Sequence, residues 1–199
     1  VSDGDIAINA NGTGMVTMTA NSVAGDVIPG KFAGTNFANS LLVGHTTTGT
    51  LDAASNNTAV GLGAMEAITT GDNNVIIGFD ASDTLTTGVQ NVVIGADAGV
   101  GGAGDRNTIV GEGAGAALTT YGDDNILIGN DAGANLTHAD GCVIIGRVNG
   151  DTADGVRQLK IAGNDNSTTT TWISGDSDGT VSANGGELTT TGKALVFGF

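Results

Sequence analysis

Aromatic residues, proline, cysteine and basic residues are all scarce in this chain of 199 residues. Aromatics make up 4% of it, and there is 1 proline and 1 cysteine. So few aromatics offer no visible stacking platform for sugars or nucleotide bases. The 35 glycines come without a G-X-Y period, so the chain is neither collagen-like nor a proline-rich linker.

Positive charge is nearly absent from the middle of the chain. Six Lys and Arg stand against 21 Asp and Glu, a net charge of −15, and Arg106 is the one basic residue between Asn36 and Gly146. A polyanion or an anionic lipid surface would be repelled along that length. We therefore expect no nucleic-acid partner and no membrane partner, and no apolar run approaches the 18 residues of a membrane-spanning helix.

A short motif of Asn, three apolar residues and Gly recurs along the chain. Its clearest copies end at Gly61, Gly78, Gly95, Gly111 and Gly129. With the weaker copies included, the closing glycines fall at positions 44, 61, 78, 95, 111, 129, 146 and 163, spaced by 16 to 18 residues. A fixed short period is typical of a stacked repeat architecture in which each repeat forms one coil.

The chemistry within each repeat favours strands over helices. The apolar residues arrive in packets of three, and Ala, Thr and Gly corners follow them, which suits a short strand with turns. The sequence predicts an all-β fold, a parallel β-roll or β-solenoid with coils of about 17 residues stacked roughly 4.8 Å apart. Three regions result: a β-rich segment at 1–35, the repeat array at 36–148 and a β-rich segment at 149–199.

The first residue of each motif predicts a ladder of side-chain amides. In-register asparagines satisfy one another's hydrogen-bond donors and acceptors from coil to coil. The predicted structural ladder is Asn57, Asn74, Asn91, Asn107 and Asn125. Cys142 stands where the other repeats carry Asn, so we expect it to be a small buried residue without a disulfide partner.

The middle residue of each apolar packet predicts self-association. If its two neighbours face the coil interior, the middle residue faces outward, and an exposed apolar stripe is an association surface. The predicted oligomer interface is Leu42, Ile76, Val93, Ile109, Leu127 and Ile144. Closed symmetry would place two or three rods around this stripe.

The repeats resemble those of known surface proteins. The Asn-x-Val-x-Ile-Gly pattern is similar to the head repeats of trimeric autotransporter adhesins, which form parallel β-rolls of three chains. The longer spacing, and the stretch from Gly34 to His45, resemble repeats in tail fibres and appendages of bacteriophages, especially those of cyanobacterial viruses. The resemblance covers roughly residues 34 to 146.

Candidates for chemistry are few. His45 and His138 lie near threonines and are expected to be solvated turn residues, and no nucleophile-and-base pair can be assembled. Asp80 and Asp97 occupy the same corner of adjacent coils, where carboxylates could share a calcium ion. Solvated turn carboxylates are the favoured interpretation, so we expect no organic cofactor, with calcium kept as the alternative.

Taken with the resemblance, these patterns predict a non-enzymatic protein. The expected function is a structural and adhesive segment of a trimeric viral fibre or appendage at the virion surface. Its partners would be copies of itself and a host cell-surface receptor that the sequence does not identify. The alternatives are a bacterial trimeric adhesin head and a subunit that polymerises into an extracellular filament.

Overall fold

A computed structural model describes residues 30–45, 47–102, 104–119, 122–183 and 186–187. In these segments every regular element is a strand. The strands are β1 (Gly30–Gly34), β2 (Phe37–Val43), β3 (Ala54–Ser55), β4 (Thr58–Val60), β5 (Val75–Ile77), β6 (Val92–Ile94), β7 (Thr108–Val110), β8 (Ile126–Ile128), β9 (Val143–Ile145), β10 (Leu159–Asn164), β11 (Thr169–Gly175), β12 (Val181–Ala183) and β13 (Gly186–Glu187). The strands predicted within residues 1–29 and 188–199 lie outside the described segments.

The apolar packets form one parallel stack, as the period predicts. Seven parallel pairings join β2 and β4 through β10 in chain order. Each packet pairs in register with the next, so that Ile76 opposes Val93 and Val93 opposes Ile109. The fold is therefore a parallel β-solenoid of about seven coils.

The core of the solenoid is built from the middle residues of the apolar packets, and this corrects the predicted interface. Each of them has 0% of its surface exposed within a single chain. The residues that were expected to face outward but lie inside are Leu42, Ile76, Val93, Ile109, Leu127 and Ile144. They contact alanines and leucines from the return segment of each coil, such as Ala81 and Leu85. They are not available to a second chain.

The physical reason is the period of two along a strand. Asn74 begins its motif and is fully buried, and Ile76 follows two residues later, so both side chains point to the same inner face. Val75 and Ile77 then point outward, and they are 36% and 37% exposed.

Glycine at the end of each strand allows the coils to stack closely. Gly78 has a φ of +144°, and a Cβ placed on it would lie 2.2 Å from the carbonyl oxygen of Gly95. The same backbone contact recurs between Gly95 and Gly111, at 2.4 Å. A residue without a side chain is required here both for its conformation and for the space it leaves.

Antiparallel strands cover both ends of the parallel stack. At the first end β1 pairs antiparallel with β2. At the other end β10 turns back into β11, and β11, β12 and β13 pair antiparallel in sequence. The parallel edges of the stack are therefore occupied by strands of the same chain.

Candidate functional site

The outer face of the parallel sheet carries two apolar rows, which we call the outer rows. They consist of the first and third residues of each three-residue strand, β4 to β9. The exposed members are Val60, Val75, Ile77, Val92, Ile94, Ile126 and Ile128, each with 36–40% of its surface accessible. Thr58 and Thr108 interrupt the first row. The face is thus a nearly continuous apolar strip, parallel to the solenoid axis.

The corner after the closing glycine extends this strip at one end of the rod. Leu62 and Phe79 are 60% and 52% exposed. In later coils the equivalent position carries Glu112, Asn130 and Arg147. The apolar surface is therefore widest over the first coils, and it becomes polar and charged toward the last coil.

Buried asparagines form a hydrogen-bonded ladder on the inner face. The Nδ2 of Asn74 donates to Oδ1 of Asn57 at 3.0 Å and to the carbonyl of Gly88 at 2.8 Å. The backbone N–H of Asn74 donates to the same Oδ1, at 3.0 Å. The Nδ2 of Asn91, 17 residues on, likewise donates to Oδ1 of Asn74, at 3.1 Å. This arrangement binds each coil to the next through groups that would otherwise be buried without partners.

Different residues end the ladder. Ser40 accepts the N–H of Asn57 through its hydroxyl at 2.9 Å. At the other end the N–H of Cys142 donates to Oδ1 of Asn125 at 2.9 Å, and the N–H of Gln158 approaches the Cys142 sulfur at 3.4 Å. Cys142 is fully buried, as predicted. Burial raises the pKa of its thiol, which keeps it protonated and unreactive near neutral pH.

Backbone conformation explains the acidic residues at the corner that raised the calcium alternative. Asp80 and Asp97 have φ values of +48° and +53°, in the left-handed region that Gly, Asn and Asp enter most easily. Gly63 and Gly113 occupy the same corner with φ values of +75° and +63°. Oδ1 of Asp80 occupies the space that a side chain on Gly63 would need. The occurrence of either Gly or Asp at this corner therefore follows from turn geometry.

No group of three or more His, Cys, Asp or Glu side chains within the described segments is arranged to hold a metal ion. Asp83 lies near the same corner, and its Oδ1 is buried without a hydrogen-bond partner among the described residues. Burial is the main cause that raises the pKa of Asp83, and the charges of Asp80, Glu66 and Asp97 raise it further. The folded chain therefore holds a proton on this carboxyl group more readily than a solvated aspartate does.

The two histidines have different environments. His45 is only 6% exposed, which corrects the expectation of a solvated residue, and its Nε2 lies 2.9 Å from the carbonyl of Ala64. His138 is exposed and its Nδ1 lies 3.2 Å from Oδ1 of Asp154. The same Asp154 oxygen also accepts the hydroxyl of Thr137.

A polar groove of about 770 Å³ opens where the last coil meets the β10–β11 hairpin. In the buried column Lys160 pairs with Ile144 and so replaces the apolar residue of the earlier coils. Its side chain is 15% exposed, and Nζ lies 2.6 Å from Oδ1 of Asp151. Sequence analysis missed this groove: Lys160 marks where the apolar column ends, but nothing in the sequence pattern indicates the second wall.

Comparison with known protein families, with curated proteins and with solved structures found no match. In the part of the chain that the structure describes, no helix has the length and apolar character needed to cross a bilayer.

Proposed function

We propose that this protein is a structural and adhesive segment of a trimeric viral fibre or appendage that takes part in host attachment. The observation that carries the proposal is the pair of outer rows. An apolar strip that runs along one face of a narrow rod is unusual for a surface that remains in water.

The outer rows support self-association around a common axis. They lie on the outer face of the parallel sheet and recur from coil to coil, so the same face of several copies can meet around a common axis. Covering the exposed part of each Val or Ile would contribute roughly 0.5–1 kcal/mol. The homotrimer expected from the resemblance is retained in this proposal, but on the outer rows and not on the buried middle residues.

The two covered ends favour a segment of defined length over a growing filament. An open strand edge templates the addition of another chain. Here β1 occupies one edge of the parallel stack and β11 follows the last parallel strand. Coils of a second copy therefore cannot extend the parallel stack directly. This makes the filament-forming subunit the weaker alternative.

The remaining surface suits a spacer that holds a receptor-binding surface away from a particle. It is acidic, and it is rich in Gly and Thr, which keeps an extended rod soluble. A bacterial adhesin head would share these features and remains the alternative within binding proteins. In either case we propose no catalytic role and no organic cofactor.

Two measurements test this proposal. Light scattering with size-exclusion chromatography should give the mass of three chains, and electron microscopy should show short rods of uniform length. A folded monomer would contradict the trimer, and long uniform filaments would replace the appendage with the structural alternative.

A further inference from the structure

We infer that the polar groove between the last coil and the β10–β11 hairpin binds a neutral, hydroxyl-rich ligand, an oligosaccharide. This inference rests on the proposed attachment function and gives it a ligand class. The first observation is the residue that follows the last apolar member of the buried column. The column of buried apolar residues runs to Ile144, and the next residue in register is Lys160.

The groove has two walls that a single arginine connects. One wall is the corner of the last coil, which includes Asp131 and Arg147, and the other is the turn of the hairpin, which includes Asn166. Nε of Arg147 lies 3.3 Å from Oδ2 of Asp131, and its NH1 donates to Oδ1 of Asn166 at 3.0 Å. The ion pair with Asp131 and the hydrogen bond to Asn166 hold the guanidinium in place, and the hydrogen bond uses one of its five N–H donors.

Hydrogen bonds inside the hairpin turn also fix the second wall. Nδ2 of Asn164 donates to the hydroxyl of Thr169 at 2.6 Å, and the N–H of Asn166 donates to Oδ1 of Asn164 at 2.7 Å. A wall fixed before a ligand arrives loses less entropy on binding.

The chemistry of the lining indicates the class of ligand. Arg, Asn and Thr side chains carry donors and acceptors at close spacing, and the groove also presents Asn149 and Thr171. An apolar ligand would leave these groups without partners, which is costly. Vicinal hydroxyl groups donate and accept at once, so they match planar amide, carboxylate and guanidinium groups.

The charge balance favours a neutral ligand over an anionic one. Each cation of the groove is already paired with a carboxylate, Arg147 with Asp131 and Lys160 with Asp151. The chain as a whole carries a net charge of −15, which repels anions at low ionic strength. No aromatic side chain lines the groove among the described residues, so each site should bind weakly. Three copies on one trimer would increase the avidity.

A glycan array that displays neutral and acidic oligosaccharides tests this inference. The full chain should bind at least one neutral oligosaccharide. Arg147→Gln removes the guanidinium group, and Thr171→Val removes one hydroxyl while keeping a β-branched side chain. Each variant should lower the array signal about tenfold, since one lost hydrogen bond to a charged or polar group is worth roughly 1.4 kcal/mol.

Two matched controls make the same chemical changes elsewhere. Arg106→Gln alters an exposed arginine that pairs with Asp124, and Thr108→Val places valine where Val92 stands in the preceding coil. Both should keep the wild-type signal. Circular dichroism and Tm confirm that all four variants fold.

Three results would overturn the inference: no neutral oligosaccharide above background, equal signals for groove and control variants, or binding of acidic oligosaccharides alone. Uniform trimeric rods that bind no glycan would leave the proposed fibre function intact and reject only the groove. Glycan binding by a monomeric protein would instead support the groove and contradict the proposed trimer.

Discussion

Asn74 and Asn91 are joined by two hydrogen bonds to a single oxygen. Oδ1 of Asn74 accepts the backbone N–H of Asn91 at 3.0 Å and its Nδ2 at 3.1 Å. Both residues are fully buried. One side chain therefore satisfies the backbone and the side chain of the next coil, and the ladder couples all the central coils.

Asn74→Ala should destabilise the protein strongly for this reason. The N–H of Asn91 and the carbonyl of Gly88 would lose their partners, at about 1–3 kcal/mol for each buried group. We expect a loss of roughly 3–5 kcal/mol in the free energy of unfolding, measured with urea. Asn130→Ala, which removes an exposed amide that bonds to Glu112, should change it by less than about 0.5 kcal/mol. Similar losses for the two variants would contradict the structural role of the ladder.

Substitutions at two glycines distinguish a steric clash from the cost of a left-handed backbone conformation. Gly78 and Gly179 have φ values of +144° and +86°. A Cβ on Gly78 would clash with the carbonyl of Gly95, whereas nothing lies within 4 Å of one on Gly179. Gly179→Ala should therefore lower stability by about 1–2 kcal/mol, the cost of the left-handed conformation alone. Gly78→Ala should lower it by several kcal/mol or prevent folding, as thermal unfolding would show.

The period and the glycines were sufficient to predict the stacked coils, because each carries a strict physical requirement. The closing glycine must avoid the backbone of the next coil, so it recurs every 16 to 18 residues whatever else changes. The direction of the side chains was harder to predict. All three residues of a packet such as Val75–Ile77 are apolar, so the polar–apolar alternation that reports an exposed face is missing.

A weaker signal for that direction was present. Thr58 and Thr108 occupy the first position of a packet, and no polar residue occupies the middle position of any packet from Leu41–Val43 to Val143–Ile145. Polar substitution marks the exposed position, so the threonines identify the outer rows. The groove could not be predicted in the same way, because it depends on the hairpin that places Asn166 opposite Arg147.

Aspartate substitutions on the two faces of β5 should have different consequences. Ile77→Asp places a carboxylate in an outer row, where water can solvate it in a separated chain. Ile76→Asp places it in the core, where an unpaired charge is strongly unfavourable. We expect Ile77→Asp to give a folded protein of lower mass by light scattering, and Ile76→Asp to give an unfolded or aggregated one.

A conservative outer-row variant serves as the control for oligomer loss. Val75→Thr reproduces the threonine found at Thr58 and Thr108 and keeps a β-branched strand residue. It should retain the wild-type mass. An unchanged mass for Ile77→Asp would exclude the outer rows as the interface.

Substitutions at Asp97 distinguish turn geometry from calcium binding. Asp97→Gly keeps a residue that tolerates a φ of +53°, whereas Asp97→Ala does not. We expect Asp97→Gly to preserve the Tm and Asp97→Ala to reduce stability by about 1 kcal/mol. A calcium ligand would be lost equally in both variants. Equal destabilisation, together with a Tm that falls on adding a chelator to wild-type protein, would favour calcium.

The partly buried carboxyl of Asp83 makes stability depend on pH. Burial, and then the charges of Asp80, Glu66 and Asp97, raise its pKa above 3.8. The folded state therefore prefers the protonated form. The stability that this group contributes is fully present below its unfolded pKa and is lost as the pH rises through its folded pKa. With rising pH the wild-type protein therefore loses stability that an uncharged side chain at this position would keep.

Asp83→Asn should therefore raise the Tm at pH 7, because the amide carries no charge to bury and none for the neighbouring carboxylates to repel. The advantage should shrink as the pH falls toward about 4, where the wild-type carboxyl becomes protonated as well. Asp178→Asn, at an exposed turn position, removes the same charge from the chain and controls for the change in net charge. Scanning calorimetry of the three proteins across this range measures the difference. If Asp83→Asn and Asp178→Asn shift the Tm equally at every pH, the effect belongs to net charge, and the burial of Asp83 contributes nothing to it.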